Sequence, residues 1–247
     1  MMDLQAQLLF PTHAVGPPGP LPAGAERWSI ETPDGDTLHG VHIPPAQASA
    51  GSLVLGFPGN AWNSADAATL LHQLYPQAHV VAFHYRGYRP SSGSPSAAAL
   101  IADAPLVHDY AVGRLKPQRT IAVGFSIGTG VAATLAKARP LSGLILVTSF
   151  DSLKAVAQSL YPWLPVGPFF QHQIDAAAAL DGAKVPTAII AAAHDQIVHP
   201  ERTAALRPRV GELVFDRTIA GAGHNDIYAR EEFTAAMREA LTAVSGN

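Results

Sequence analysis

The sequence contains no cysteine, and only 14% of its 247 residues are charged. The absence of cysteine excludes disulfides, thiolate metal sites and a cysteine nucleophile, and it leaves the redox compartment open. There is no run of basic residues and the formal net charge is −3, so we expect no nucleic-acid partner. With 48% hydrophobic residues, the composition is typical of a globular protein and not of a disordered one.

The sequence also has little that predicts secretion or membrane insertion. Asp3 stands where a secretory signal would carry positive charge, and no long apolar stretch follows it. The longest uncharged run, about residues 120–136, is marginal in length for a membrane span and contains a serine and three glycines. A buried strand followed by a helix explains this run better. We therefore expect a cytoplasmic protein without a transmembrane segment.

Continuous apolar runs alternate with segments of helical spacing along most of the chain. This alternation predicts an α/β fold with a mostly parallel sheet and helices on both of its faces. Before it, residues 27–32 and 37–43 alternate polar with apolar side chains around a turn, which predicts an antiparallel N-terminal hairpin. The later strands are predicted at 52–57, 80–83, 119–123, 144–147, 185–191 and 212–219, and helices at 64–74, 96–115, 200–206 and 225–244.

Two segments depart from this alternation. Residues 1–25 are rich in proline and glycine towards their end, so we expect an extended lead-in over the surface. Residues 26–247 are predicted to form a single domain. Within it, residues 151–181 have no strand pattern and many aromatics and prolines, which indicates a small helical, cap-like insertion before the strand at 185–191.

The most informative motif is Gly-x-Ser-x-Gly at residues 124–128. A β-branched run precedes it and a helical stretch of small residues follows, so the order is strand, tight turn and helix. Such a turn holds the serine oxygen out at the carboxyl edge of a sheet, and the small neighbours Gly124 and Gly128 relieve the crowding. We therefore predict that Ser126 is a nucleophile.

A serine hydroxyl is a poor nucleophile near neutral pH and needs a base to accept its proton. His224 is the predicted base, because it lies in a glycine-rich loop after the last predicted strand. Asn225 and Asp226 follow it and are expected to cap the last helix. The alternative for His224 is an ordinary exposed loop histidine.

The base in turn needs an acid that fixes its orientation. Asp195 is the predicted acid, since it ends the buried strand at 185–191 and lies between the serine and the histidine in sequence. It could instead cap the helix after Pro200. Asp151, just after the preceding strand, and Asp216, inside the last strand, are the competing carboxylates.

The oxyanion of a tetrahedral intermediate needs two N–H donors already in place. Ile127, directly after the serine, supplies one from the helix N-terminus. The second is predicted from the loop Pro58-Gly59-Asn60-Ala61, where we choose Asn60 with Ala61 as the neighbouring option. An ordinary turn is the alternative for this loop.

Other chemistries are poorly supported. The glycines near Ser126 do not fit a dinucleotide fingerprint, and no Gly-Lys-Ser/Thr phosphate loop exists. His194 and His199 flank Asp195, but their spacing does not match a zinc motif. Arg86 and Arg89 could meet an anionic substrate, although a structural role for Arg86 is equally consistent with the sequence.

Several motifs together resemble the α/β-hydrolase fold superfamily, and more closely its Bem46-like branch. The resemblance runs from about residue 28 to the end and implies a Ser126, Asp195 and His224 triad without a cofactor. It is carried by Pro58-Gly59-Asn60-Ala61-Trp62-Asn63, Tyr85-Arg86-Gly87-Tyr88, the serine turn, Tyr161-Pro162-Trp163-Leu164-Pro165, His194-Asp195-Gln196-Ile197-Val198 and Gly221-Ala222-Gly223-His224-Asn225.

Two residues differ from the pattern of that branch beside the oxyanion loop. Pro58 stands in place of a histidine and Trp62 in place of a glycine, which could narrow the pocket. Trp62 is therefore one candidate substrate contact, and Trp163, in the aromatic segment before the acid strand, is the other. The aromatic residues from Tyr161 to Phe170 could form an acyl-binding wall or could simply pack a short helical segment onto the core.

The sequence thus predicts a serine hydrolase that acts on a small ester or thioester. One alternative is a non-catalytic binding protein on the same scaffold. Another is an amide hydrolase or peptidase, although no added access-controlling domain fits in this length. The oligomeric state is left open.

Overall fold

The computed structural model describes residues 4–46, 51–163 and 170–246. Residues 47–50, between the predicted hairpin and the strand predicted at 52–57, therefore lie outside the described residues. The same holds for residues 164–169 of the predicted aromatic segment.

All the strands of the described chain join one sheet in the order β1-β2-β4-β3-β5-β6-β7-β8. β1 pairs antiparallel with β2, β2 pairs antiparallel with β4, and the remaining pairs are parallel. The predicted mostly parallel sheet and the N-terminal hairpin are thus confirmed. The strands are β1 (Glu26–Glu31), β2 (Thr37–Ile43), β3 (Ser52–Phe57), β4 (His79–Phe83), β5 (Arg119–Phe125), β6 (Gly143–Val147), β7 (Thr187–Ala192) and β8 (Leu213–Ile219).

Helices cover both faces of the sheet, because side chains on successive strand residues point to opposite faces. In β5, Ile121 and Val123 pack with α2 and α8, whereas Ala122 belongs to the core on the side of α3 and α4. The helices are α1 (Leu4–Leu9), α2 (Ser64–Leu74), α3 (Ala97–Leu115), α4 (Ile127–Ala138), α5 (Leu153–Leu160), α6 (Ala176–Leu180), α7 (Pro200–Leu206) and α8 (Glu231–Ser245). No helix in the described ranges combines the length and apolar character that crossing a bilayer requires.

The lead-in is not extended throughout, in contrast to the prediction for residues 1–25. Its described part begins with α1, and a single 3-10 turn follows at Thr12–Ala14. Leu9 and Phe10 are buried in the main core, and the side-chain amide of Asn60 donates a hydrogen bond to the carbonyl oxygen of Leu9. A helix this short is marginal by itself, so these contacts with the body of the protein stabilise it.

The last helix also begins later than predicted. A 3-10 turn occupies Ile227–Ala229, and α8 starts at Glu231 instead of residue 225. Between β6 and β7, the described part of residues 151–181 contains α5 and α6. It therefore has the predicted helical character, with an isolated bridge between Ser152 and Asp175 as its only extended pairing among the described residues.

Candidate active site

The turn between β5 and α4 holds Ser126 in a strained backbone conformation, with φ 51° and ψ −118°. Its N–H donates to the carbonyl oxygen of Val147 at 2.9 Å, which fixes the turn against β6. A side chain at Gly124 would collide with the backbone at Gly128, and one at Gly128 would collide with the carbonyl oxygens of Phe57 and Pro58. The two glycines are therefore required by close backbone contacts on either side of the serine.

A continuous set of hydrogen bonds links Ser126, His224 and Asp195. The serine Oγ lies 3.0 Å from His224 Nε2. On the other side of the ring, His224 Nδ1 lies 2.8 Å from Asp195 Oδ2 and 3.0 Å from Oδ1. The side chains of His224 and Asp195 are 8% and 2% exposed, so the carboxylate and the imidazole interact away from bulk water. This arrangement suits proton transfer from the serine to the imidazole.

The backbone after β7 fixes the orientation of the Asp195 carboxylate. Its Oδ1 accepts hydrogen bonds from the N–H groups of Ile197 and Val198 at 2.9 and 2.7 Å. Asp195 does not cap α7, whose N-cap residue is His199 without a side-chain cap.

The two competing carboxylates are engaged elsewhere. Asp151 forms an ion pair with Arg202 at 3.2 Å, and Asp216 forms one with Arg207 at 2.7 Å. Of the three aspartates considered, only Asp195 bonds to His224.

Asp226 closes the loop that carries His224 and does not cap α8, in contrast to the prediction. Its carboxylate accepts a hydrogen bond from the Gly223 N–H and forms an ion pair with Arg230. These two contacts, of which the pair with Arg230 is the first cause, lower the pKa of Asp226. The N-cap position of α8 is Arg230, which makes no side-chain cap.

The loop after β3 lies beside Ser126. The Tyr85 hydroxyl donates to the carbonyl oxygen of Pro58 at 2.9 Å, and the Tyr88 hydroxyl donates to Asn60 Oδ1 at 2.5 Å. Burial raises the pKa of both tyrosines, so each hydroxyl keeps its proton and remains a donor. Ile127 is the first residue of α4, and the N–H at such a position has no acceptor within its own helix.

A cavity of about 610 Å³ opens above these residues, and Ser126, Ile127, Asn60 and His224 all line it. The remaining lining carries no charged side chain and is mostly aliphatic or aromatic. Its aliphatic part includes Leu8, Leu9, Leu153, Val156, Leu160 and Ile197. The site therefore favours an apolar group next to the serine.

The two predicted substrate contacts are placed differently. Trp62 lines the cavity, with its ring 5.0 Å from that of Phe125 and 5.0 Å from that of Tyr228. Trp163 is 69% exposed and is not part of the lining; its ring lies edge-on to Tyr161, which does line the cavity. Tyr161, two residues before Trp163, therefore has the place in the cavity wall that was predicted for Trp163.

Sequence reasoning missed the part of the cavity wall that comes from α1 and from Tyr228. The run Leu8-Leu9-Phe10 was a usable signal, because it is the only apolar run in an otherwise polar or proline-rich segment. Tyr228 carried no such signal, since its place depends on the 3-10 turn after His224.

Arg86 has a structural role. Its side chain is 9% exposed, and its Nε donates to Asp103 Oδ2 at 3.0 Å while Nη1 pairs with Asp34 at 2.6 Å. These carboxylates, Asp103 first, raise the pKa of the guanidinium. Arg86 does not line the cavity above Ser126. Within the described part of the chain, no group of three potential metal ligands lies close enough together to hold an ion.

A family model described as the alpha/beta hydrolase fold matches residues 53–177. An uncharacterised protein of Mycobacterium tuberculosis is 34% identical over 211 residues, which are 83% of this chain and 74% of that protein. The alpha/beta hydrolase domain-containing protein WAV2 of Arabidopsis thaliana is 33% identical over 141 residues, 55% of this chain and 46% of its own.

Among solved structures, an alpha-beta serine hydrolase homologue from Coxiella burnetii superposes with a TM-score of 0.67 at 18% identity, over 87% of this chain and 97% of that one. At this identity the likeness concerns the fold. Together with the sequence matches and the sheet topology, it defines an alpha/beta hydrolase fold. The chain belongs to the α/β-hydrolase family, within its Bem46-like branch.

Proposed function

We propose that this chain is a serine hydrolase that cleaves carboxylic esters or thioesters through an acyl-enzyme. The observation that carries the proposal is the hydrogen-bonded series from Ser126 Oγ through His224 to Asp195, at the floor of an apolar cavity. All three members of the series are present, which favours an enzyme over a protein that only binds its ligand.

In the proposed reaction, Ser126 Oγ attacks the acyl carbon while its proton passes to His224 Nε2. The negative charge that develops on the acyl oxygen is held by the backbone N–H groups of Asn60 and Ile127. His224 then gives its proton to the departing alkoxide or thiolate. Water, deprotonated by the same histidine, attacks the acyl-serine and releases the carboxylic acid.

Asp195 stabilises the imidazolium that forms in each half of this cycle. Its Oδ2 lies 2.8 Å from His224 Nδ1, which favours the tautomer with Nε2 free to accept the serine proton. The two backbone donors on Oδ1 keep the carboxylate in that orientation.

The lining of the cavity supports a proposal for the substrate class. Apart from His224, which becomes charged when it accepts the serine proton, no side chain that lines the cavity carries a charge. Leu153, Val156 and Leu160 of α5 contribute an aliphatic wall. We therefore propose that the acyl group is uncharged and hydrocarbon in character. Each methylene that such a wall buries is worth about 0.8 kcal/mol, or roughly a fourfold gain in kcat/KM.

The test is a panel of p-nitrophenyl esters of increasing chain length, assayed with the intact protein and with Ser126→Ala. We expect kcat/KM to rise with acyl length until the cavity is filled, and Ser126→Ala to abolish turnover. Equal rates for the two proteins would overturn the proposal. Saturable ester binding without turnover by the intact protein would favour the binding-protein alternative instead.

A further inference from the structure

A second cavity, of about 730 Å³, lies between the lead-in and the start of α2. It shares no lining residue with the cavity above Ser126. Two arginines and two histidines border it, namely Arg27, Arg89, His13 and His84, and no aspartate or glutamate does. Its lining is thus positively charged, whereas the first cavity has an apolar lining.

The two arginines have no carboxylate to neutralise them within the described chain. Neither Arg27 nor Arg89 forms an ion pair or a side-chain hydrogen bond there, and both are exposed. Seven of the twelve arginines do have a carboxylate partner. Arginines with a carboxylate partner are Arg86, Arg139, Arg202, Arg207, Arg209, Arg217 and Arg230.

His84 lies at the inner side of the cavity and is only 6% exposed. Its backbone groups bond to His39 and Ser91, but its ring has no hydrogen-bond partner among the described residues. Burial, followed by the nearby His39 and Arg27, lowers the pKa of His84 to about 4, while Asp66 acts in the opposite direction. The ring is therefore neutral near pH 7 and offers one N–H donor for which the described residues provide no acceptor.

The backbone adds to the positive character of the cavity. Asn63, the N-cap of α2, and Ala65 in its first turn both border it, and a helix N-terminus carries a partial positive charge. Asn63 also ties down the other wall, because its side-chain amide donates to the carbonyl oxygen of Gly16 at 3.0 Å. The Asp66 carboxylate accepts from the Gly19 N–H at 2.8 Å and is not part of the lining.

We propose that this second cavity binds the phosphate group of a small phosphorylated ligand, with Arg27 and Arg89 as its cationic donors and His84 as a neutral donor beneath them. Guanidinium groups match the oxygens of a phosphate in pairs. A phosphate monoester carries more negative charge than a carboxylate and has three acceptor oxygens, so it matches two unpaired guanidinium groups better. The volume exceeds what a free phosphate ion fills, which favours a phosphate ester.

The test is calorimetric titration of the Ser126→Ala protein with inorganic phosphate and, separately, with glycerol 3-phosphate. We expect Arg27→Gln and Arg89→Gln each to weaken binding roughly tenfold or more, because each removes a charge-assisted contact. Arg238→Gln is the matched control: it makes the same charge change on the exposed face of α8, and we expect it to leave binding intact.

The two ligands identify the source of the phosphate. Tighter binding of glycerol 3-phosphate supports an ester ligand, and equal binding of both supports recognition of the phosphate group alone. The proposal is overturned if neither ligand binds. It is also overturned if Arg238→Gln weakens binding as much as the two cavity variants do. Since Ser126→Ala is used throughout, the result does not depend on hydrolysis, and a thermal melt of each variant checks that it is folded.

Discussion

Replacing Asp195 by Asn tests the proposed proton pathway with little change of shape. In the structure, Asp195 Oδ1 accepts from two backbone N–H groups and Oδ2 faces His224 Nδ1. An asparagine keeps those backbone contacts only with its oxygen at the Oδ1 position. Its NH₂ group then occupies the Oδ2 position, the closer of the two to Nδ1, which favours an unprotonated Nδ1 and a ring proton on Nε2.

With its proton on Nε2, His224 cannot accept the proton of Ser126. We therefore expect kcat for a p-nitrophenyl ester to fall by about 10³- to 10⁴-fold, which corresponds to about 4–5.5 kcal/mol of lost transition-state stabilisation. The larger figure is the loss in kcat that the same substitution causes in the triad of a serine protease. KM should change little, because Asp195 does not line the cavity.

The assay is steady-state hydrolysis across pH with the intact protein, Asp195→Asn and Asp151→Asn. Asp151 pairs with Arg202 and does not contact His224, so its substitution controls for the loss of a nearby carboxylate. A loss of less than tenfold for Asp195→Asn, or an equal loss for Asp151→Asn, would refute the reasoning.

Three further predictions concern stability. Gly128→Ala should lower the free energy of unfolding by more than about 3 kcal/mol, or prevent folding, because its Cβ meets two carbonyl oxygens. Gly113→Ala, in an uncrowded position of α3, should instead raise the free energy of unfolding by up to about 1 kcal/mol. Urea denaturation compares the two variants. Asp103→Asn should cost about 3–5 kcal/mol in the same assay by leaving a buried guanidinium without its main partner, whereas Asp109→Asn, in an ion pair that is half exposed, should change stability little. Because the pKa of His84 is lowered to about 4, the unfolded chain binds a proton that the folded chain does not; the free energy of unfolding should fall by up to about 3 kcal/mol between pH 6.5 and pH 4, and His84→Gln should reduce that slope.

The central part of the sheet was predictable because its strands are buried on both faces. Runs such as Leu53-Val54-Leu55 and Leu144-Ile145-Leu146 have no polar interruption, and β6 is buried along its whole length. Burial of this kind leaves a signal in the sequence itself. That the site residues lie close together then followed from the common edge at which parallel strands end.

The N-terminal helix was not predictable in the same way. Its six residues are too few to favour a helix through local interactions. What holds them is the burial of Leu9 and Phe10 and a hydrogen bond from Asn60, which is distant in sequence. The late start of α8 has a similar cause, since Asp226 bonds to Gly223 and Arg230 instead of capping a helix.

Side-chain placement at the cavity was only partly predictable. Trp62 lies only a few residues beyond the end of β3, beside Ser126, so the backbone restricts where its side chain can lie. Trp163 lies beyond the end of α5, and its exposure depends on how the chain leaves that helix. Aromatic residues in such a segment can point to the cavity or to solvent. Here Tyr161 lines the cavity and Trp163 is exposed to solvent.

Covalent labelling by a fluorophosphonate probe tests the central claim most directly, because it reports an activated serine without requiring knowledge of the substrate. Intact-protein and peptide mass spectrometry should find one adduct, located on Ser126, in the native chain. The adduct should be absent from Ser126→Ala and from heat-denatured protein. Labelling of another residue, continued labelling of Ser126→Ala, or no labelling of the folded native chain would contradict the assignment of Ser126 as the nucleophile.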